Sequence, residues 1–152
     1  MKKSNTFIPL KPDGLSGLEY LTRMMQGKEV LPPMCETIPM RFIEVKEGLI
    51  RMSAIADERH VNTINGVHGG FAATVIDSVT GCVVHTMLEA DIKYTTISLE
   101  LKMLRPPPLN EEMIAEGTVI NISKRLAVAN GVIRNAQNKI VAQGTGTCMI
   151  FR

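Results

Sequence analysis

Asp77 stands in the most apolar segment of the chain, flanked by Ile76 and, beyond Ser78, Val79. Read as a helix, its neighbours three and four residues away are Ala73, Thr74, Thr80 and Gly81, all small. The bulk lies elsewhere on the helix, in Val75, Ile76, Val79 and Val83. Asp77 therefore faces a shallow groove. A carboxylate there is costly unless it is paired or used. Two readings follow: a structural acid bonded to Thr74, Thr80 or nearby backbone, or an acid kept for chemistry. His68-Gly69-Gly70 directly precedes the segment. The first N–H groups of a helix lack internal partners, glycines admit a close ligand, and the helix dipole adds positive potential. Such a tip suits developing negative charge, for example on an attacked carbonyl oxygen. Taken alone, glycines before a helix are more often only a tight turn.

Spacing constrains the pair. Gly69 and Asp77 are separated by roughly 12 Å along one helix. A reacting carbonyl should lie about 3 Å from both the oxyanion donor and the acid. Two antiparallel copies of the helix across a two-fold axis meet this condition, with Gly69 of one subunit facing Asp77 of the other. If these residues cooperate, the active unit is at least a dimer.

The elements that must hold them are legible from periodicity. Leu15, Leu18, Leu21 and Met25 recur at helical spacing, with Gly27 as a stop. Residues 1–14 read as an irregular arm, and Pro32-Pro33 as a connection. Residues 37–46 and 49–56 read as strands joined at a hairpin around Lys46-Glu47-Gly48. Residues 57–66 are polar and turn-rich. From Gly70 to Leu88 the pattern predicts one central, buried helix. In the next strand Ile97, Leu99, Leu101 and Met103 share one face, Thr96, Ser98, Glu100 and Lys102 the other, and the prolines from Pro106 close it. Strands over 112–122, 125–134 and 139–151 follow, the last two joined by a turn at Asn135 to Asn138. One antiparallel sheet curled around the long helix gives a two-layer α+β domain.

The chain has 152 residues, 45% apolar and 21% charged, which suits one globular domain and excludes disorder, collagen and coiled coil. No charge-free apolar run of about 18 residues occurs, so neither a membrane span nor a signal peptide is expected. A net charge of +2 and the lack of Trp argue against nucleic-acid binding. Cys35, Cys82 and Cys148 form no CxxC pair and read as reduced core residues, which points to the cytoplasm.

The segment Asn62 to Asp77, N-T-I-N-G-V-H-G-G-F-A-A-T-V-I-D, resembles the signature of hotdog-fold acyl-CoA thioesterases. It is most similar to the phenylacetate-degradation (PaaI) and 4-hydroxybenzoyl-CoA thioesterase branch. An amide residue, HGG six residues later and an acid nine residues after the His all match. The resemblance extends over residues 35–151 and implies a hotdog fold: an antiparallel sheet wrapped around a long central helix, here with an extra N-terminal helix. Residues 1–34 would be an arm and helix packed on a thioesterase domain over 35–152. The family implies Asp77 as general base or nucleophile on a thioester carbonyl, and the Gly69 amide, with Gly70 beside it, as the polarising donor. It implies Asn62 as holder of the attacking water or the thioester. A Ser or Thr on the strand after the helix assists in related enzymes; counting back from Pro106 selects Thr96 over Thr95. This sequence differs from some relatives in Asn65-Gly66 before Val67, and in Gly81 where one branch has a hydroxyl.

A thioester is already activated, so a carboxylate with good oxyanion stabilisation suffices; there is no G-x-S-x-G. Asp77 must be ionised to act, so dipole and hydroxyl contacts would have to offset its desolvation. His68 is a candidate base, although in this pattern it more often ties the loop together. His60 reads as a surface loop residue and His85 as a packed or rim residue. No His/Cys/Asp cluster has zinc spacing, and no cofactor is implied, coenzyme A entering with the substrate. Lys124 and Arg125, with Arg134 near them in pattern, form a candidate patch for its phosphates, or a solvated turn. Met24, Met25, Met34, Met40 and Met103 read as core filler, some lining an adaptable acyl pocket. The expected partners are an acyl-CoA and further copies of the chain, a dimer at minimum and, by family analogy, a dimer of dimers. The alternative is a non-catalytic acyl-CoA-binding or sensor module on the same fold, which has no need of an acid in the groove. A hydratase would carry a catalytic His in a different motif.

Overall fold

The computed structural model describes residues 14–152. The arm expected at residues 1–14 therefore lies, but for Gly14, outside the described residues. Helix α1, Gly17–Met25, begins with a capping box that the apolar spacing alone did not reveal. Ser16 Oγ accepts from the Glu19 N–H, and the Glu19 carboxylate accepts from the Ser16 N–H at 2.8 Å. It ends as predicted at Gly27, whose φ of 71° lets the Gly27 and Lys28 N–H groups close back onto Met24 and Arg23.

A second helix, α2 (Met34–Thr37), follows the Pro32-Pro33 connection and takes Thr37, the first residue of the strand expected at 37–46. Pro33 presets a helical φ at its entrance, and the first strand begins only after Pro39. The strands are β1 (Met40–Lys46), β2 (Leu49–Ile55), β3 (Lys93–Met103), β4 (Glu112–Ile122), β5 (Leu126–Arg134) and β6 (Ile140–Phe151). They form one sheet, ordered β1-β2-β4-β5-β6-β3, antiparallel throughout. The predicted hairpin between β1 and β2 turns on Glu47-Gly48. The long helix α3 (Gly69–His85) lies against the concave face and packs on β2 through β6.

Close approach of α3 to the sheet depends on glycines. Gly117 of β4 and Gly131 of β5 stand opposite each other, and Gly146 of β6 also faces the helix at Thr80. A Cβ on Gly117 would land on the Val79 carbonyl, 2.8 Å from its carbon. Val75, Ile76, Val79, Val83 and Val84 of α3 are fully buried in the resulting core. No helix among the described residues is long and apolar enough to cross a membrane.

Two further expectations fail for identifiable reasons. In β3 a bulge between Thr96 and Ser98 inserts Ile97 as an extra residue. Alternation resets there, so Tyr94 and Thr96 turn inward with Leu99 and Leu101, while Ile97 is 50% exposed. His60 is not a surface loop residue; it is 8% exposed and ends a 3-10 turn, Glu58–His60. Its Nδ1 accepts from the Asp57 N–H at 2.9 Å, so its Nε2–H donates to the Thr37 carbonyl at 2.7 Å. Its ring packs edge-on against Phe71. This histidine anchors the loop that leads into α3.

Candidate active site

The loop before α3 is held by its own side chains. Asn62 Oδ1 accepts from the N–H groups of Ile64 and Gly66, both at 3.0 Å, and the Asn62 N–H donates to the Gly66 carbonyl at 2.7 Å. Asn65 takes the left-handed conformation, φ 60°, that this tight turn requires. With its oxygen committed, Asn62 has its amide NH2 left as a donor. His68 caps α3: its Nδ1 accepts from the Gly70 N–H at 2.8 Å, and its carbonyl accepts from the Phe71 N–H at 3.0 Å. The Gly70 amide is thereby engaged within the chain. Among the described residues, no acceptor meets the Gly69 N–H at the helix tip. Asn62 and Gly69 line one cleft of about 360 Å³ together with Met103, Arg105 and Pro106. Met103 lies over Gly69, its Sδ 2.7 Å from where a Cβ would stand.

Asp77 opens elsewhere, two turns along α3. The hydroxyls that a structural acid would use are turned away from it. Thr74 Oγ1 donates to the Gly70 carbonyl at 2.9 Å, Ser78 Oγ to the Thr74 carbonyl at 2.8 Å, and the fully buried Thr80 Oγ1 to the Ile76 carbonyl at 2.9 Å. Asp77 Oδ1 is buried with no hydrogen-bond partner. It lines a cavity of about 320 Å³ walled by Met40, Phe42 and Met52 of the sheet, Leu21 and Met24 of α1, and Tyr94 and Thr96 of β3. Thr95, the rejected alternative, is on the exposed side of β3.

The cavity disfavours charge. Burial above all, then Cys35, Asp77 and Cys148, pushes the Cys82 thiol up to about 12. Burial chiefly, with Cys82, Cys148 and Asp77 adding to it, raises the Tyr94 hydroxyl well above its ordinary range. The Cys82 thiol and the Tyr94 hydroxyl are thus neutral at ordinary pH. Thr96 Oγ1 lies 3.9 Å from Cys148 Sγ.

One chain therefore brings Asn62 to Gly69, and Thr96 to Asp77, but it places the two pairs in separate cavities. Lys124 and Arg125 sit at the turn between β4 and β5, near Met87 just beyond the C-terminal end of α3. Arg134 does not join them: it ends β5, eight residues and roughly 26 Å from Leu126 at the strand rise. Two basic residues were not foreseen. Arg152 joins the Lys124 patch, donating to the Lys124 carbonyl at 3.2 Å, and Arg105 joins the Asn62 cleft. Arg105 stands just before the prolines that close β3, which was the available signal. His85 lines the Asp77 cavity between the rings of Tyr20 and Tyr94. Among the described residues no group of three potential metal ligands occurs.

The family model of the thioesterase superfamily matches residues 65–142, the stretch holding the helix tip, Asp77, strands β3 to β5 and the start of β6. The chain belongs to the thioesterase superfamily. Acyl-coenzyme A thioesterase 13 of Homo sapiens is 27% identical to this thioesterase-superfamily chain over 107 residues, covering 70% of it and 76% of the human protein. Among solved structures, a phenylacetic acid degradation-related protein of Ralstonia eutropha JMP134 superposes with a TM-score of 0.79 at 25% identity, covering 86% of this chain and 98% of that one. The E. coli PaaI protein from the phenylacetic acid degradation operon superposes at 0.77 and 17% identity, covering 90% and 94%. The sheet curled around α3, with α1 added, is the hotdog architecture expected from the signature.

Proposed function

We propose that this chain hydrolyses acyl-CoA or aryl-CoA thioesters to a carboxylic acid and free coenzyme A. The observation that carries the reading is Asp77: a carboxyl oxygen buried in an apolar cavity with no partner, on the helix whose tip carries an open amide. A structural acid would be satisfied by its neighbours; this one is not. Family membership supports thioester chemistry, and the human relative's name supports coenzyme A as the carrier.

In the general-base route, the Asp77 carboxylate takes a proton from water as the water oxygen bonds to the carbonyl carbon. The oxyanion is stabilised by the Gly69 N–H and the α3 dipole. The C–S bond then breaks, and the sulfur leaves with a proton as the coenzyme A thiol. In the nucleophilic route, an Asp77 oxygen bonds to the carbon first, the thiolate leaves, and water hydrolyses the resulting anhydride. The NH2 of Asn62 would hold the water or the thioester, and the Thr96 hydroxyl would assist from the Asp77 side. His68 serves by capping α3, which occupies the Gly70 amide and leaves Gly69 as the donor.

Both routes need Gly69 and Asp77 together, and a second copy supplies the missing half. Strand β3 is an edge strand with exposed Ile97, a surface suited to pairing with its twin. In an antiparallel pair of α3 helices, the Lys124, Arg125 and Arg152 patch of one subunit lies toward the Gly69 end of the other, where coenzyme A phosphates would emerge. The working unit is then a homodimer, and two dimers could pair further. Coenzyme A enters with the substrate, and no cofactor is needed. Three free thiols, Cys35 and Cys148 buried and Cys82 half-buried, fit the reducing cytoplasm.

The test is release of free thiol from a panel of acyl-CoAs by the purified protein. Asp77→Ala should lower the rate by about 10²-fold or more. An Asp77→Ala protein as active as the parent would reject the assignment.

A further inference from the structure

The cavity beside Asp77 follows α3, and Asp77, Gly81 and His85 line it in order. From Asp77 to His85 is roughly 12 Å at the helical rise. Midway stands Gly81, a glycine inside a helix, where alanine would serve the helix better. At the sheet glycines that face α3, packing opposes a side chain. A Cβ on Gly131 would come within 3.1 to 3.2 Å of Thr80, Ile76 and Val79, and one on Gly146 within 2.5 Å of Thr80 Oγ1. At Gly81 the same test gives a different answer. A Cβ would stand 3.6 Å from Tyr94 Cε2, 3.7 Å from its Oη and 3.9 Å from Thr96 Oγ1, all ordinary contact. The backbone there is helical. The fold has no need of glycine at this position; the cavity does, because the added methyl would take up space one turn beyond the acid.

Resting on the reading of Asp77 given above, we propose that the cavity is a slot for a straight acyl chain of about eight to ten carbons, and that Gly81 keeps its throat open. An extended chain advances roughly 1.25 Å per bond, from a 1.52 Å bond and a near-tetrahedral angle, so about 12 Å holds about nine or ten bonds. At the far end the His85 ring is flanked by Tyr20 at 6.1 Å and Tyr94 at 5.2 Å between centroids, and this cluster closes the slot. Met24 of α1 forms part of the wall, so the N-terminal helix takes part in measuring the chain.

The test compares wild type, Gly81→Ala and Met24→Ala on acyl-CoAs from acetyl to palmitoyl, with phenylacetyl-CoA included. It reads kcat/KM by thiol release and Tm with and without decanoyl-CoA. Wild type should peak near octanoyl or decanoyl. Gly81→Ala should melt at a higher temperature than wild type, yet lose about tenfold or more in kcat/KM on decanoyl-CoA relative to its loss on acetyl-CoA. Met24→Ala should move the optimum to longer chains. A preference for phenylacetyl-CoA, an equal loss on every chain length, or a lower Tm for Gly81→Ala overturns the slot. If wild type hydrolyses no thioester, but decanoyl-CoA raises its Tm and not that of Gly81→Ala, the proposed activity fails and the slot stands. If decanoyl-CoA raises neither Tm, the slot fails as well.

Discussion

Replacing Asp77 should make the protein more stable and less active, and the opposing signs are the point. The Asp77→Asn change keeps the shape and removes the charge; Asp77→Leu also removes the polarity. A general base is worth about 10²- to 10⁴-fold in rate, or roughly 3–5 kcal/mol of barrier. Both variants should lose that much in kcat for thiol release. A buried polar group without a partner costs about 1–3 kcal/mol of stability, and apolar replacement of similar shape recovers it. Oδ1 of Asp77 is such a group, because Thr74, Ser78 and Thr80 all spend their hydroxyls on backbone carbonyls. In a chain of 152 residues, 1 kcal/mol moves Tm by about 2–4 °C. Asp77→Leu should therefore melt at least that much higher, and Asp77→Asn, which keeps an amide in place, should gain less. Thermal melts followed by circular dichroism give the shift, and a thiol reagent gives the rate. If Asp77→Asn melts several degrees lower and keeps near-parent turnover, the acid is structural and the reasoning fails.

Asn62→Asp preserves the acceptor that Ile64 and Gly66 use but deletes the NH2 donor. Its Tm should stay within a few degrees while kcat/KM falls about tenfold or more, as for a lost transition-state donor; unchanged kinetics would confine Asn62 to bracing the loop. Gly117→Ala should cost about 2–3 kcal/mol, since its methyl meets the Val79 carbonyl rather than a movable side chain, and a urea melt should show it. Stability should also fall at high pH. An unfolded Cys82 ionises near its ordinary 9.0, whereas burial holds the folded thiol protonated to about 12. The unfolded chain therefore releases its proton first: the contribution is intact below about 9 and is lost as pH rises toward about 12. The urea midpoint measured across that window should decline, and a flat profile would show that the thiol is not sealed.

Local pattern determined a good deal of this protein. The period of apolar residues located α1, α3 and the strands because each element must bury one face or, for α3, nearly all faces. Spacing placed a glycine tip and an acid roughly 12 Å apart on one helix, so that any cooperation between them needs two chains. Tertiary structure decided the rest, for reasons that are not local. A bulge shifts strand parity by one residue without changing composition, so only the ladder between β3 and β6 shows Thr96 turning toward Asp77. His60 is as polar as any loop residue, and its burial depends on Thr37 and Phe71, distant in sequence. Whether Thr74 and Thr80 satisfy Asp77 was open in the sequence; in the fold Thr80 packs against Gly131 and Gly146 and donates to the Ile76 carbonyl. The cavity itself has no sequence signature, because its walls come from α1, α2, α3 and three strands that meet only when the chain is folded.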